Sequence, residues 1–325
     1  MAFGVCCLLI KQMKLPDKVK IVDVTARDGI EGIKRAIPVR LRVELIDRLT
    51  DAGLPAIEIG EFVNPKVIPA VAQTDRVARL INPKNGVEYS ALVPNMRGFA
   101  DAKEAGVRRI TLFASATEAF SRANINCSIE ESFTRFQPVI KAAQQNKIRV
   151  RGALSVVAGC PLEGAVAVKA VSKLAARLHN SGCYEICLAD TIGAGTPHSI
   201  QAVIQACIDD GVPVAKLTAH FHDTFGMALV NCFAAMQKGV SIIETAAGGL
   251  GGCPNAPGAS GNLATENLVY LLNGLGVETG VDLNRVIDTG RWICKQLEKP
   301  EDSKVSDAID IFKHPDIRSQ RLAIS

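Results

Sequence analysis

Residues 185–246 read EICLADTIGAGTPHSIQAVIQACIDDGVPVAKLTAHFHDTFGMALVNCFAAMQKGVSIIETA. Three short β-rich runs, Glu185–Ala189, Leu217–His222 and Ser241–Ala246, alternate here with two longer stretches, Thr196–Asp210 and Gly226–Lys238. The apolar residues of the longer stretches recur at helical spacing, and Gly239 sits where the second should stop. Alternation of this kind means parallel strands joined by right-handed helical crossovers. Upstream the pattern repeats, with candidate strands at Lys20–Val24, Ala56–Ile59, Glu88–Val93, Arg109–Phe113 and Arg149–Val156. Helical stretches there include Val39–Ala52, Glu130–Asn146 and Gly164–Asn180, and Ser128 before Glu130 and Glu131 is an N-capping signal. Eight units in about 230 residues, with no GxGxxG after the first strand, predict an α/β fold of one closed (β/α)8 TIM barrel rather than an open doubly wound sheet. Residues 264–297 read as two extra C-terminal helices. The expected division is an N-terminal extension over 1–18, a catalytic barrel with its C-terminal helices over 19–300, and a polar tail over 301–325.

Composition narrows the function classes. A net charge of +4 and 5% aromatic residues, without basic–aromatic interleaving, argue against nucleic acid as a partner. No run approaches the roughly 18–20 apolar residues that cross a bilayer, so no membrane association is expected. The apolar start, Met1–Ile10, lacks the positive region and cleavage site of a secretory signal. Most of the ten cysteines lie in apolar periodic segments and no CxxC occurs, which points to buried thiols in a reducing, cytoplasmic setting.

A barrel places its active site at the C-terminal ends of the strands. The polar clusters fall there: Thr25-Ala-Arg27-Asp28-Gly29 after strand 1, Glu58 and Glu61 at strand 2, Asp190-Thr191 at strand 6, and His220-Phe-His222-Asp223 at strand 7. Residues i and i+2 of a strand share a face, so His220 and His222 can bind one ion. A carboxylate such as Asp28 would complete a mixed shell suited to Mg²⁺ or Mn²⁺, with Zn²⁺ possible. The plainer alternatives are hydrogen-bonded core histidines, an Arg27–Asp28 salt bridge, and Asp190 capping the next helix. Beyond strand 8, residues 248–262 hold six glycines and two prolines in fifteen. A loop of that composition can close over a site and carry in Cys253 as a proton donor or acceptor, or it can be a surface loop with an incidental thiol. Asn262 at its exit offers an amide oxygen to a metal.

These pieces together resemble the 3-hydroxy-3-methylglutaryl-CoA (HMG-CoA) lyases of the DRE-TIM metallolyase superfamily, from Val19 to about Lys299. The matching residues are Arg27-Asp28-Gly29, Glu58, Asn124–Ser132, Gly159-Cys-Pro161, Asp190–Gly193, His220-x-His222-Asp-Thr and the Gly251-Gly-Cys-Pro254…Gly258–Asn262 loop. The resemblance implies a homodimer that splits an acyl-CoA substrate by retro-Claisen cleavage into acetyl-CoA and acetoacetate. It implies a divalent metal on Asp28, His220, His222 and Asn262. Catalytic roles fall to Arg27 at the thioester or enolate oxygen, Cys253 as loop acid/base, and Glu58 and Asp190 as rim carboxylates.

The sequence also departs from the family pattern. Thr25-Ala26 and Ile30-Glu31 replace Gly-Pro and Leu-Gln, and Glu61 replaces serine. Phe221, Phe225 and Asn255 replace cysteine, tyrosine and tyrosine, changes expected to surround the acyl pocket. Glu61 either adds a carboxylate to the mouth or turns outward into solvent. Basic candidates for coenzyme A are Lys34, Arg35, Lys66 and Arg97, each with ordinary solvated surface as the plainer reading. Alternative readings are a lyase for another 3-hydroxyacyl-CoA, an isopropylmalate- or citramalate-type synthase, and a non-catalytic metal- or CoA-binding barrel.

Overall fold

The computed structural model describes residues 15–252 and 261–313. The eight runs become β1 (Lys20–Asp23), β2 (Ala56–Glu61), β3 (Glu88–Leu92), β4 (Arg109–Ser115), β5 (Arg149–Ser155), β6 (Ile186–Asp190), β7 (Leu217–Phe221) and β8 (Ile242–Thr245). Each pairs in parallel with the next, and β1 pairs with β8, so the sheet closes into a barrel.

The crossovers carry α1 (Val39–Asp51), α2 (Thr74–Leu80), α3 (Met96–Glu104), α4 (Glu118–Ile125), α5 (Ile129–Gln145), α6 (Val168–Asn180), α7 (Pro197–Asp209) and α8 (Ala228–Gln237). After the barrel come α9 (Thr265–Leu275), α10 (Leu283–Leu297) and α11 (Lys304–Lys313). Ser128 caps α5 as its sequence suggests. Its Oγ accepts from the Glu131 amide (3.1 Å) while Glu131 Oε2 accepts from the Ser128 amide (2.7 Å).

Strand alternation divides the side chains into two sets. Ile21, Ile57, Ile110, Leu154, Leu188 and Ile243 join the buried apolar layer under the helices. Phe221, between the two histidines, also turns that way and meets Ile200 and Val203 of α7. The inward set holds the strands' charged residues, together with the apolar Leu92 and Phe113. At the N-terminal end of the barrel Lys20 bonds Glu88 (3.3 Å) and Glu185 (3.1 Å), and Arg109 bonds Glu88 (3.1 Å), so that end is closed by paired charges. Such pairing is required when charges are held in a low-dielectric interior.

Residues 301–313, part of the expected polar tail, pack on the barrel's C-terminal helices. The Asp302 amide donates to the Gly248 carbonyl (2.9 Å) beside β8, Ser303 and Ser306 are buried, and α11 packs on α9.

Candidate active site

Arg27, the residue that follows β1 and Thr25-Ala26, leads into a short helical turn, Asp28–Glu31. Its Nε donates to Glu58 Oε2 (2.6 Å) and its Nη1 to Asp28 Oδ1 (2.6 Å) and Glu31 Oε2 (3.3 Å). Burial opposes the guanidinium's charge, but Glu58 and then Asp28 outweigh it and hold the group more firmly protonated than usual. Glu58 is fully buried and also accepts from Thr111 Oγ1 (2.8 Å).

At the end of β7, His222 Nε2 lies 3.6 Å from Asp28 Oδ2. The candidate ligand atoms of Asp28, His220 and His222 all fall within 4.8 Å of one another. His220 Nδ1 meets Glu244 Oε2 on β8 at 2.6 Å, which leaves Nε2 as the ring's other ligating atom. Glu244 is bonded in turn by Arg151, whose Nε reaches Glu185 at 2.8 Å. Burial would raise the Glu244 carboxyl, but Arg151 and His220 bring it down to about 2. His220 is disfavoured as a cation by burial and raised on balance by Glu244. For Asp28, burial is again opposed, this time by Arg27, and the carboxyl stays well below the usual range. An ionised carboxylate beside two buried imidazoles, one oriented by its own carboxylate, fits a divalent cation.

Asn262 is brought to this cluster by backbone pairing with His222, and the Asp223 amide donates to Gly261 O (3.0 Å). Its Nδ2, rather than its oxygen, faces Asp28 Oδ2 (2.6 Å) and the Leu250 carbonyl (3.1 Å), so Oδ1 is the atom left for an ion. Both flanks of the glycine-rich loop therefore reach the cluster. Cys253 and Asn255 themselves lie outside the described residues.

Above the cluster opens a cavity of about 620 Å³, with Arg27, Asp28, His220 and His222 on its floor. Leu92, Phe113 and Phe136 line one part of the wall, and the segment 124–127 with Ser132 and Arg135 another. Glu31 and Glu61 also line it. Glu61 is 4% exposed, so it turns inward.

Two expected carboxylates sit differently. Glu58 lies behind Arg27, outside the cavity wall. Asp190 accepts from the amides of Ala194 (3.1 Å) and Gly195 (2.8 Å), holding the turn into α7. Phe221 and Phe225 do not surround the acyl cavity as their replacement suggested. The first faces α7, because the strand turns alternate residues outward, and the second is 67% exposed. Lys34, Arg35, Lys66 and Arg97 are exposed, and none lines the cavity.

Comparison with known proteins agrees with this geometry. The HMGL-like family model matches residues 18–293. The hydroxymethylglutaryl-CoA lyase of Pseudomonas mevalonii is 50% identical over 291 residues, covering 90% of this chain and 96% of that protein. The chain belongs to the HMG-CoA lyase family. This makes it an enzyme of the lyase class. The crystal structure of the family member from Pseudomonas aeruginosa superposes with a TM-score of 0.89 at 46% identity, covering 91% of this chain and 99% of that one. A lyase from Acinetobacter baumannii, solved with coenzyme A and 3-methylmalate, gives 0.86 at 32% identity over 90% and 95%. Among the described residues no helix is long and apolar enough to cross a membrane.

Within this lyase framework the sequence reading overlooked Glu244, Arg151 and Cys187, the last of which stands within ligating range of His220 and Glu244. One signal was available for the first two: a charged residue inside an otherwise apolar barrel strand needs a buried partner, and each sits on a different strand.

Proposed function

We propose that this lyase cleaves 3-hydroxy-3-methylglutaryl-CoA to acetyl-CoA and acetoacetate, with one divalent cation, Mg²⁺ or Mn²⁺ and alternatively Zn²⁺, on Asp28, His220, His222 and Asn262. The observation that carries the reading is the convergence of Asp28 and both histidines within ligating distance on the floor of a cavity large enough for an acyl group. A bound cation would supply Lewis-acid polarisation of the substrate's tertiary hydroxyl and carboxylate oxygens. Arg27, fixed by Glu58, sets a permanent positive charge beside the thioester oxygen, where enolate charge develops. Glu58 is thus a positioning residue acting through Arg27. Asp190 keeps the rim turn in place. Cys253 delivers or takes the proton at the acetyl carbon, a role supported by the loop flanks Leu250 and Asn262, which meet through the Asn262 amide beside Asp28.

An acyl-CoA partner is supported by the coenzyme A in the Acinetobacter baumannii structure, and a second cavity of about 410 Å³ lies between the loop flanks, Gly29 and Lys299-Pro300. The buried free thiols Cys127, Cys160, Cys183, Cys187, Cys207, Cys232 and Cys294 suit a reducing cytoplasm. A homodimer is the assembly the family resemblance suggests, and exposed Phe225, Met227 and Val230 give it apolar surface.

The test is acetyl-CoA release from HMG-CoA with Mg²⁺ or Mn²⁺, run beside His220→Ala and Cys253→Ala. Metal-dependent turnover, reduced at least about 10²-fold in each variant, is expected from loss of a ligand and of the proton donor. A metal-independent activity, or one indifferent to His220→Ala, would refute the reading.

A further inference from the structure

Alternation along the strands fixes what each contributes to the cavity. On β4, Thr111 bonds Glu58 inside the barrel, so Phe113 shares that face; on β5, Arg151 bonds Glu244, and Ala153 does likewise. On β6, Cys187 stands within ligating range of His220, and Ala189 follows on the same face. Leu92 is the part of the lining that β3 supplies. Among the described residues, strands β3 to β6 therefore give the cavity no charged side chain. Arg27, Asp28, Glu61, His220, His222 and Glu244 all come from β1, β2, β7 and β8 or the residues that follow them.

Side-chain size along this charge-free arc is uneven. Phe113, Ala153 and Cys187 are register partners across β4, β5 and β6, and Ala189 is the register partner of His220 on β7. Three small side chains thus lie between the Phe113 ring and His220, and all three line the cavity. They set the wall back and leave an apolar recess beside the proposed metal site.

The opposite side of the cavity calls for a polar group. The register of β2 with β3 slips between Glu58 and Glu61, and Gly60 takes φ +146°. Buried Arg42 clamps this bulge, donating to Ile59 O (3.0 Å) and Ala72 O (2.9 Å). The bulge turns Glu61 inward, where its Oε1 is buried without a hydrogen-bond partner among the described residues. A ligand that suits both sides sets oxygen atoms against β1, β2 and β7 and carbon against β3 to β6.

We propose that the β3–β6 wall is a specificity-determining recess for the alkyl branch at C3 of the substrate, with Ala153 setting its depth. The enzyme then cleaves 3-hydroxy-3-alkylglutaryl-CoA thioesters with branches of several carbons at least as well as HMG-CoA. The inference rests on the reading that this cavity receives the acyl part of HMG-CoA. In that reading C3 turns its hydroxyl and carboxymethyl group toward the cation and its thioester arm toward Arg27, so its fourth substituent faces the recess. A methyl group leaves much of the wall without partner atoms, and a longer chain regains those contacts at about fourfold in kcat/KM per buried methylene.

The discriminating substrate is 3-hydroxy-3-propylglutaryl-CoA. Its 3-hydroxyl loses a proton, the C2–C3 bond breaks, and C2 is protonated, giving acetyl-CoA and 3-oxohexanoate. No oxidant or further reactant is needed. With Mn²⁺ the wild-type enzyme is expected to show a kcat/KM for the propyl thioester equal to or above that for HMG-CoA. Ala153→Leu, which fills the recess, should lower the propyl-to-methyl ratio at least about tenfold, and Ala153→Val about threefold. A wild-type kcat/KM below that for HMG-CoA, or a ratio that Ala153→Val leaves unchanged, would overturn the recess while leaving the lyase reading intact. Should Ala153→Leu fail to fold, Ala153→Val decides alone. If the wild type cleaves neither thioester, the lyase reading fails, and calorimetric binding of the two thioesters still decides the recess. Propyl binding at least as tight as methyl, and selectively weakened in Ala153→Val, upholds it; any other result overturns it.

Discussion

Glu244 orients one of the histidines of the proposed metal site. Its Oε2 meets His220 Nδ1 at 2.6 Å, which fixes the ring's orientation and tautomer, and Arg151 keeps the carboxylate charged. Glu244→Gln keeps the shape but weakens the hydrogen bond and leaves Arg151 less well neutralised. Mn²⁺ affinity measured by calorimetry should then fall about 10- to 100-fold. An unchanged affinity would mean that His220 is oriented by its packing alone.

At the scale of elements, the bulge in β2 is the least regular part of the barrel and the part with the most specific sequence demand. Gly60 sits at φ +146°, and any side chain there runs into Arg42 and Thr74. Gly60→Ala combines backbone strain with a clash against a buried guanidinium, and should cost about 2–4 kcal/mol in urea unfolding. A stability loss below about 0.5 kcal/mol would mean that the clamp yields easily.

Across the whole molecule, buried carboxyls join the C-terminal helices to the barrel. Glu266 on α9 accepts from the Gly248 amide (2.8 Å), and Asp23 at the end of β1 accepts from Thr25 N (2.8 Å) and Thr265 Oγ1 (3.2 Å). Burial pushes Glu266 up to about 8 and Asp23 to about 6, against ordinary values of 4.5 and 3.8. A folded value above the unfolded one means that folding takes up a proton. Each group's contribution to stability is therefore complete below its ordinary value and is lost as pH rises through the folded one. Urea unfolding should accordingly show stability falling from about pH 4 to about pH 8, at no more than about 1.4 kcal/mol per pH unit for one group. Glu266→Gln, which cannot ionise, should flatten the upper part of that decline; an unchanged slope would assign it elsewhere.

The chain by itself determined the barrel, because eight β-rich runs separated by amphipathic stretches have few ways to bury their apolar faces, and the alternation is local enough to read. It also placed Arg27, Asp28, His220, His222 and Asn262 together, since strand ends of a barrel share one rim. It did not determine how Glu61 points, which two of the replaced aromatic positions lie away from the pocket, or that residues 304–313 form a helix on α9. Those outcomes depend on a register slip at Gly60, on strand parity and on buried serines meeting Asn267 and Arg291. Partners from distant parts of the chain decide each of them, and a single run of residues does not specify its partners.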